Sequence, residues 1–111
     1  MHEYAARLIS IVDANTLKLD VDLGFHTWLR DTFRLARVHA PQLMTLDGAR
    51  AKAFVVERLN EATAIRIQSS RSEKYGRWLC ELNFQTTASQ SQWMNLSDLL
   101  LEAGHAVRFK H

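Results

Sequence analysis

Short alternations of apolar and polar residues dominate this chain, broken by turn-forming clusters. Residues 7–12 carry Leu8, Ile9, Ile11 and Val12 in a strand-like segment, and Asp13-Ala14-Asn15 breaks it. Leu17, Leu19 and Val21 then alternate with Lys18, Asp20 and Asp22, the period of a half-buried strand. After a turn at Leu23-Gly24, residues 25–38 form a long β-rich run holding Trp28, Phe33, Leu35 and Val38. Its length predicts a bent strand, or two short strands broken near Arg30-Asp31. Pro41 ends the run because it cannot donate a hydrogen bond to a ladder.

The period then changes. Residues 42–48 read as a loop, and Asp47 is placed to cap a helix over about 49–61. Ala51, Phe54, Val55, Arg58 and Leu59 would share one side of that helix. Ile65 and Ile67 alternate with Arg66 and Gln68 in a short strand, Ser69 to Gly76 is a polar turn, and Trp78 to Phe84 is another strand. Residues 85–92, rich in Gln, Ser and Thr, read as a mobile loop. Leu96, Leu99, Leu100 and Ala103 return at helical spacing, with Gly104 in the stop position and Ala106 to Phe109 as a closing segment. Three strands, a helix, two strands and a helix predict an α+β, mainly β domain. The order suits a five-stranded OB-fold barrel with two to three helices.

Composition narrows this without redirecting it. A chain of 111 residues supports one core, so residues 1–111 are read as a single domain. Apolar and charged fractions of 47% and 23% fit an ordinary globular protein, and no apolar run is long enough to span a membrane as a helix. Met1-His2-Glu3-Tyr4 lacks the basic-then-apolar pattern of a signal segment, which predicts an intracellular, cytoplasmic protein. The single cysteine, Cys80, cannot form an internal disulfide and is expected to pack as a small apolar residue. A net charge of +2 permits an anionic partner without demanding one. More telling is the distribution of the charge: Arg30, Arg34 and Arg37 cluster in one stretch, and Arg66, Arg71, Lys74 and Arg77 in another.

Several segments, in order, resemble one family. These are residues 11–19 (Ile-Val-Asp-Ala-Asn-Thr-Leu-Lys-Leu), residues 32–42 from Thr32-Phe33-Arg34-Leu35 to Pro41-Gln42, and Gly48-Ala49-Arg50-Ala51. Lys74-Tyr75-Gly76-Arg77-Trp78-Leu79 and the stretch from Asn95 to Val107 with its Leu-Leu-Leu-Glu-Ala-Gly complete the set. Together they resemble staphylococcal-nuclease-like (thermonuclease) domains over most of residues 8–109. The resemblance implies an OB-fold barrel. In active members, two aspartates hold a calcium ion, a glutamate helps to activate water, and two arginines hold the phosphate. The arginines carry over to Arg34 and Arg77, and a tyrosine lying against the nucleotide carries over to Tyr75.

The acids do not carry over. The family's Asp-Gly-Asp-Thr reads here as Asp13-Ala14-Asn15-Thr16, and its Asp-x-Pro-Glu reads as His39-Ala40-Pro41-Gln42. Asn15 keeps a carbonyl oxygen but no charge, whereas calcium favours charged oxygen ligands. His39 offers nitrogen, better suited to zinc, nickel or copper. Gln42 cannot take a proton from water, and losing a general base typically costs roughly 10²–10⁴ in rate. Each residue also has a plain structural reading: Asn15 as a turn residue, Gln42 as a loop residue, His39 as a strand end.

The expectation is a catalytically silent or strongly impaired nuclease homologue, with no cofactor and its calcium site lost. It would bind nucleic acid or a nucleotide phosphate through Arg34, Arg77 and Tyr75, with Trp78 and Phe109 as stacking or core residues. Two alternatives stay open. One is a protein-interaction module with a protein partner. The other is an active metal-dependent phosphodiesterase whose site is rearranged around Asp13, His39 and Asp47.

Overall fold

The computed structural model describes residues 2–72, 78–90 and 92–110, with backbone alone at residues 70–72. In chain order the elements are β1 (Glu3–Asp13), β2 (Thr16–Asp22), β3 (Trp28–Leu35), β4 (Val38–His39), α1 (Leu46–Asn60), β5 (Ala62–Ser72), β6 (Trp78–Thr86), β7 (Met94–Asn95), α2 (Leu96–Glu102) and β8 (Val107–Arg108). β1, β2 and β3 form an antiparallel meander, β5 pairs with the free side of β1, and β6 pairs with β5. The barrel closes where β3 meets β6 in parallel, with Phe33 opposite Trp78, Arg34 opposite Leu79 and Leu35 opposite Cys80. The result is a closed five-stranded mixed barrel with two helices, an OB-like α+β fold. As the sequence order implied, α1 lies between the third and fourth barrel strands.

Alternation along each strand fills the barrel. Leu17, Leu19 and Val21 point inward from β2, Phe33 and Leu35 from β3, Ile65 and Ile67 from β5, and Leu82 and Phe84 from β6. Burying a side chain of this size contributes about 1.5–3 kcal/mol. Ala51, Val55 and Leu59 of α1 and Leu96 and Leu100 of α2 complete the core. Cys80 is buried among them, and burial pushes its thiol up to about 12. Among the described residues, no helix is long and apolar enough to cross a membrane.

Several boundaries differ from the sequence reading, each for a physical reason. β3 is not broken at Arg30-Asp31. Its ladder with β2 runs unbroken from Asp22–Trp28 to Thr16–Arg34, and Arg30 forks onto Asp20 at 2.7 and 2.9 Å across it. β5 continues through Ser69 to Ser72, read from sequence as a polar turn, because Arg71 and Ser72 pair with Leu79 and Trp78 of β6. β6 itself runs on to Thr86, into the segment read from sequence as a loop, and reciprocal 3.0 Å bonds between Thr86 and Ser89 close the turn that follows. α1 begins earlier than expected because Thr45, not Asp47, is its cap. Thr45 Oγ1 accepts from Gly48 N at 3.0 Å, and Asp47 sits in the first turn. At the other end of the chain Asn95 caps α2, and Gly104 follows it at φ 75°, as its stop position requires.

Candidate phosphate site

The turn between β1 and β2 is a short, buried structure. Asp13 Oδ1 accepts from Asn15 N at 3.1 Å, closing a local side-chain turn. Ala14, Asn15 and Thr16 are all buried, Asn15 with only 4% exposure. The Asn15 carbonyl accepts from Leu35 N at 2.8 Å, which fastens the turn to the end of β3. Arg34 is therefore a near neighbour of Asn15 along the ladder, since its Cα partner in β2 is Thr16. On its other side Arg34 faces Leu79 across the parallel seam. It is half-buried, and its Nε is shielded from solvent.

Two predicted site residues thus lie one ladder step apart at one end of the barrel: Arg34 and Asn15. The Asn15 Nδ2 is buried and makes no hydrogen bond to the described residues, an orphan donor of a kind that folded proteins rarely tolerate. Sequence reading treated Asn15 as a lost acid or a turn residue and did not foresee this donor. Nothing in the local sequence signals it, because its burial depends on β3.

His39 and Gln42 are turned to other tasks. His39 is exposed on β4, pairs with Val107 of β8, and lies with its ring against Phe109 at a 5.4 Å centroid distance. The Gln42 carbonyl accepts from Thr45 N at 3.0 Å and Thr45 Oγ1 at 2.6 Å, so its backbone anchors the start of α1. Asp13 is committed to its turn and Asp47 to the first turn of α1. Among the described residues, no three His, Cys, Asp or Glu side chains gather to hold a metal ion, and Asp13, His39 and Asp47 are not brought together as such a group.

The arginine clusters are divided by the fold. Arg30 is held by Asp20, whose carboxyl the Arg30 hydrogen bonds keep below its usual range. Arg37 is held far more extensively. Its Nε and Nη2 grip Glu81 at 2.6 and 2.9 Å, Nη1 reaches Asp98 at 2.9 Å, and Nη2 also reaches Asn95 at 3.0 Å. The Glu81 hydrogen bonds push the guanidinium well above its ordinary value. Arg66 lies over the Trp93 ring at 4.5 Å and 3.7 Å from Glu3. Tyr75, Arg77 and Lys74 lie outside the described residues. Trp78 and Phe109, read as stacking or core residues, are 36% and 45% exposed.

A scan of family models finds no match to this chain, and a search of curated proteins finds none either.

Proposed function

We propose that this domain holds a phosphodiester or a nucleotide phosphate without cleaving it, using Arg34 together with Arg77 and Tyr75. The observation that carries this reading is the placement of a half-buried Arg34 opposite Thr16, one residue from the uncharged Asn15 that stands where the nuclease pattern has a metal-holding aspartate. A carboxylate there would hold a metal and repel phosphate. An amide carries no charge and does not repel phosphate. An arginine fork matches phosphate geometry and keeps its charge at any physiological pH. OB barrels bind single strands readily when a cationic groove meets aromatic side chains. The nuclease-like sequence pattern supports the same reading, with its metal and base positions replaced by Asn15, His39 and Gln42.

The test is fluorescence anisotropy with labelled single-stranded DNA and RNA at low salt, on wild type and on Arg34→Ala/Arg77→Ala. Binding should be lost in the double variant. The logarithm of affinity should fall with the logarithm of salt concentration at a slope of about −1.4 for two phosphate contacts. Wild-type protein that binds neither oligonucleotide nor nucleotide at low salt sinks the proposal. Incubating both substrates with calcium, manganese, zinc or chelator tests the non-cleaving half. Metal-dependent cleavage abolished by Arg34→Ala would overturn it, whereas cleavage that survives in Arg34→Ala marks a contaminant.

One observation favours a second reading, a protein-interaction module. The β2–β3 hairpin tip presents Phe25 fully exposed, with Gly24, Phe25 and His26 consecutively at φ 85°, 54° and 60°. Bulky residues in the left-handed region cost free energy and cluster at functional contacts. Affinity capture from the native host with wild type and Phe25→Ala tests it. Recovery of no protein that depends on Phe25 counts against it.

A further inference from the structure

α1 has two apolar faces where a barrel helix needs one. Ala51, Val55 and Leu59 are buried against the strands. On the opposite side Leu46, Ala49, Ala53 and Val56 face solvent, Leu46 at 66% and Val56 at 45% exposure. A shallow groove of about 620 Å³ runs along this side, with Leu43, itself 39% exposed, at its margin. An isolated exposed apolar residue needs no explanation, but a continuous stripe of them along one helix does.

The spacing says what would cover the stripe. Leu46, Ala53 and Asn60 are seven residues apart, and Ala49 and Val56 repeat at the same interval three residues further on. These are the a and d positions of two heptads, the seam of a helix pair. Ala49 and Ala53 are small enough to let two backbones approach closely. Lys52 flanks the seam on one side at a g position, and Glu57 flanks it on the other at an e position. In a parallel pair each g residue meets the e residue five positions on in the other helix. Lys52 would meet Glu57 of a second copy, and symmetry would make the contact twice. In an antiparallel pair the same flanks meet themselves, so the Lys52–Glu57 contact is made in the parallel orientation only, while Glu57 would meet Arg50, the other e position, in the antiparallel one. Asn60 at an a position adds a second selector, because a polar residue there favours one register of a two-stranded seam over its alternatives.

We propose that the outer face of α1 is a self-association surface, on which a second copy of this chain docks its own α1 in parallel. The charges and spacing of the helix carry the proposal. It stands independently of the phosphate reading, because the seam lies on the outward side of α1 and uses none of Arg34, Arg77 and Tyr75.

Sedimentation equilibrium on the full chain over a wide concentration range is the test, with circular dichroism confirming that each variant folds. Wild type should show a reversible monomer–dimer equilibrium. Lys52→Glu and Glu57→Lys each replace two attractive contacts by two repulsive ones, and each alone should weaken the dimer about tenfold or more. Mixed in equal amounts they should form a heterodimer of near wild-type affinity, a rescue that a change in general surface charge would not give. Asn60→Leu should tighten association, and Ala53→Arg, at an exposed position, should abolish it while the monomer stays folded. A wild type that remains monomeric throughout overturns the proposal, and so does a mixture of the two charge variants that associates no better than either alone.

Discussion

Arg37 offers the sharpest test of how the site end of the barrel is held. Its backbone is left-handed, at φ 71°, in the turn joining β3 to β4, and its side chain binds Glu81, Asp98 and Asn95. Arg37→Ala deletes the guanidinium but keeps a Cβ in a conformation that disfavours one. The lost contacts are charge-assisted, yet the Arg37 side chain is 42% exposed and Asp98 is 54% exposed, so solvent screens much of them. The two-pronged grip on Glu81 is the larger part, and the whole is worth roughly 2 kcal/mol. Arg37→Gly loses the same contacts but relieves the left-handed strain, recovering about 1 kcal/mol. In a domain of 111 residues 1 kcal/mol moves the melting temperature by about 4 °C. The alanine variant should therefore melt about 8 °C below wild type and the glycine variant about 4 °C below. Urea denaturation should rank them the same way. At a position of ordinary backbone the order would be reversed, since glycine adds entropy to the unfolded chain. A glycine variant less stable than the alanine one refutes the left-handed turn, and an alanine variant indistinguishable from wild type refutes the network.

Further predictions concern the core and α1. Cys80 has its thiol raised from 9.0 to about 12 by burial, so between those values the unfolded chain ionises while the folded one keeps its proton. Stability should be unaffected by this group below pH 9.0 and should fall as pH rises through the window, by up to about 1.4 kcal/mol per unit. Cys80→Ala should remove that component of the slope in alkaline denaturation, and the native thiol should resist alkylation at pH 8 until the protein unfolds. Thr45→Ala should cost about 1 kcal/mol in urea melts and Asp47→Ala less, the reverse of a helix capped by Asp47. At Gly48 a Cβ would collide with the Gln42 carbonyl, so Gly48→Ala should destabilise by about 1–3 kcal/mol despite alanine's better helix propensity. A Gly48→Ala variant more stable than wild type would contradict that close approach.

The parts of the fold legible from sequence are those whose signal is local. β2 announces itself because Leu17, Leu19 and Val21 face the core while Lys18 is exposed. Gly104 is readable because a left-handed helix stop selects for glycine. The polar end of β5 was not readable, because Ser69 to Ser72 are strand only by virtue of pairing with Leu79, Cys80 and Trp78. β3 looked bent or broken near Arg30-Asp31 because the run is long, yet its ladder is continuous there and Arg30 is balanced by Asp20 on the neighbouring strand. The site shows the same division. Arg34 is singled out by its motif alone, whereas the ion-pair network of Arg37, three residues on, has no local signal. Its partners Glu81 and Asp98 lie 44 and 61 positions away, beyond any local pattern.

The parallel seam between β3 and β6 also sets a schedule. As the chain is synthesised, β1, β2 and β3 can pair as soon as they emerge, since each follows the last through a short turn. The outer side of β3 then stays a bare strand edge until Trp78 to Cys80 arrive to cover it. Such an edge is a template for pairing with any passing chain. The nascent protein is thus most vulnerable to association during the interval in which α1 and β5 are made, and β6 ends that interval in a single step.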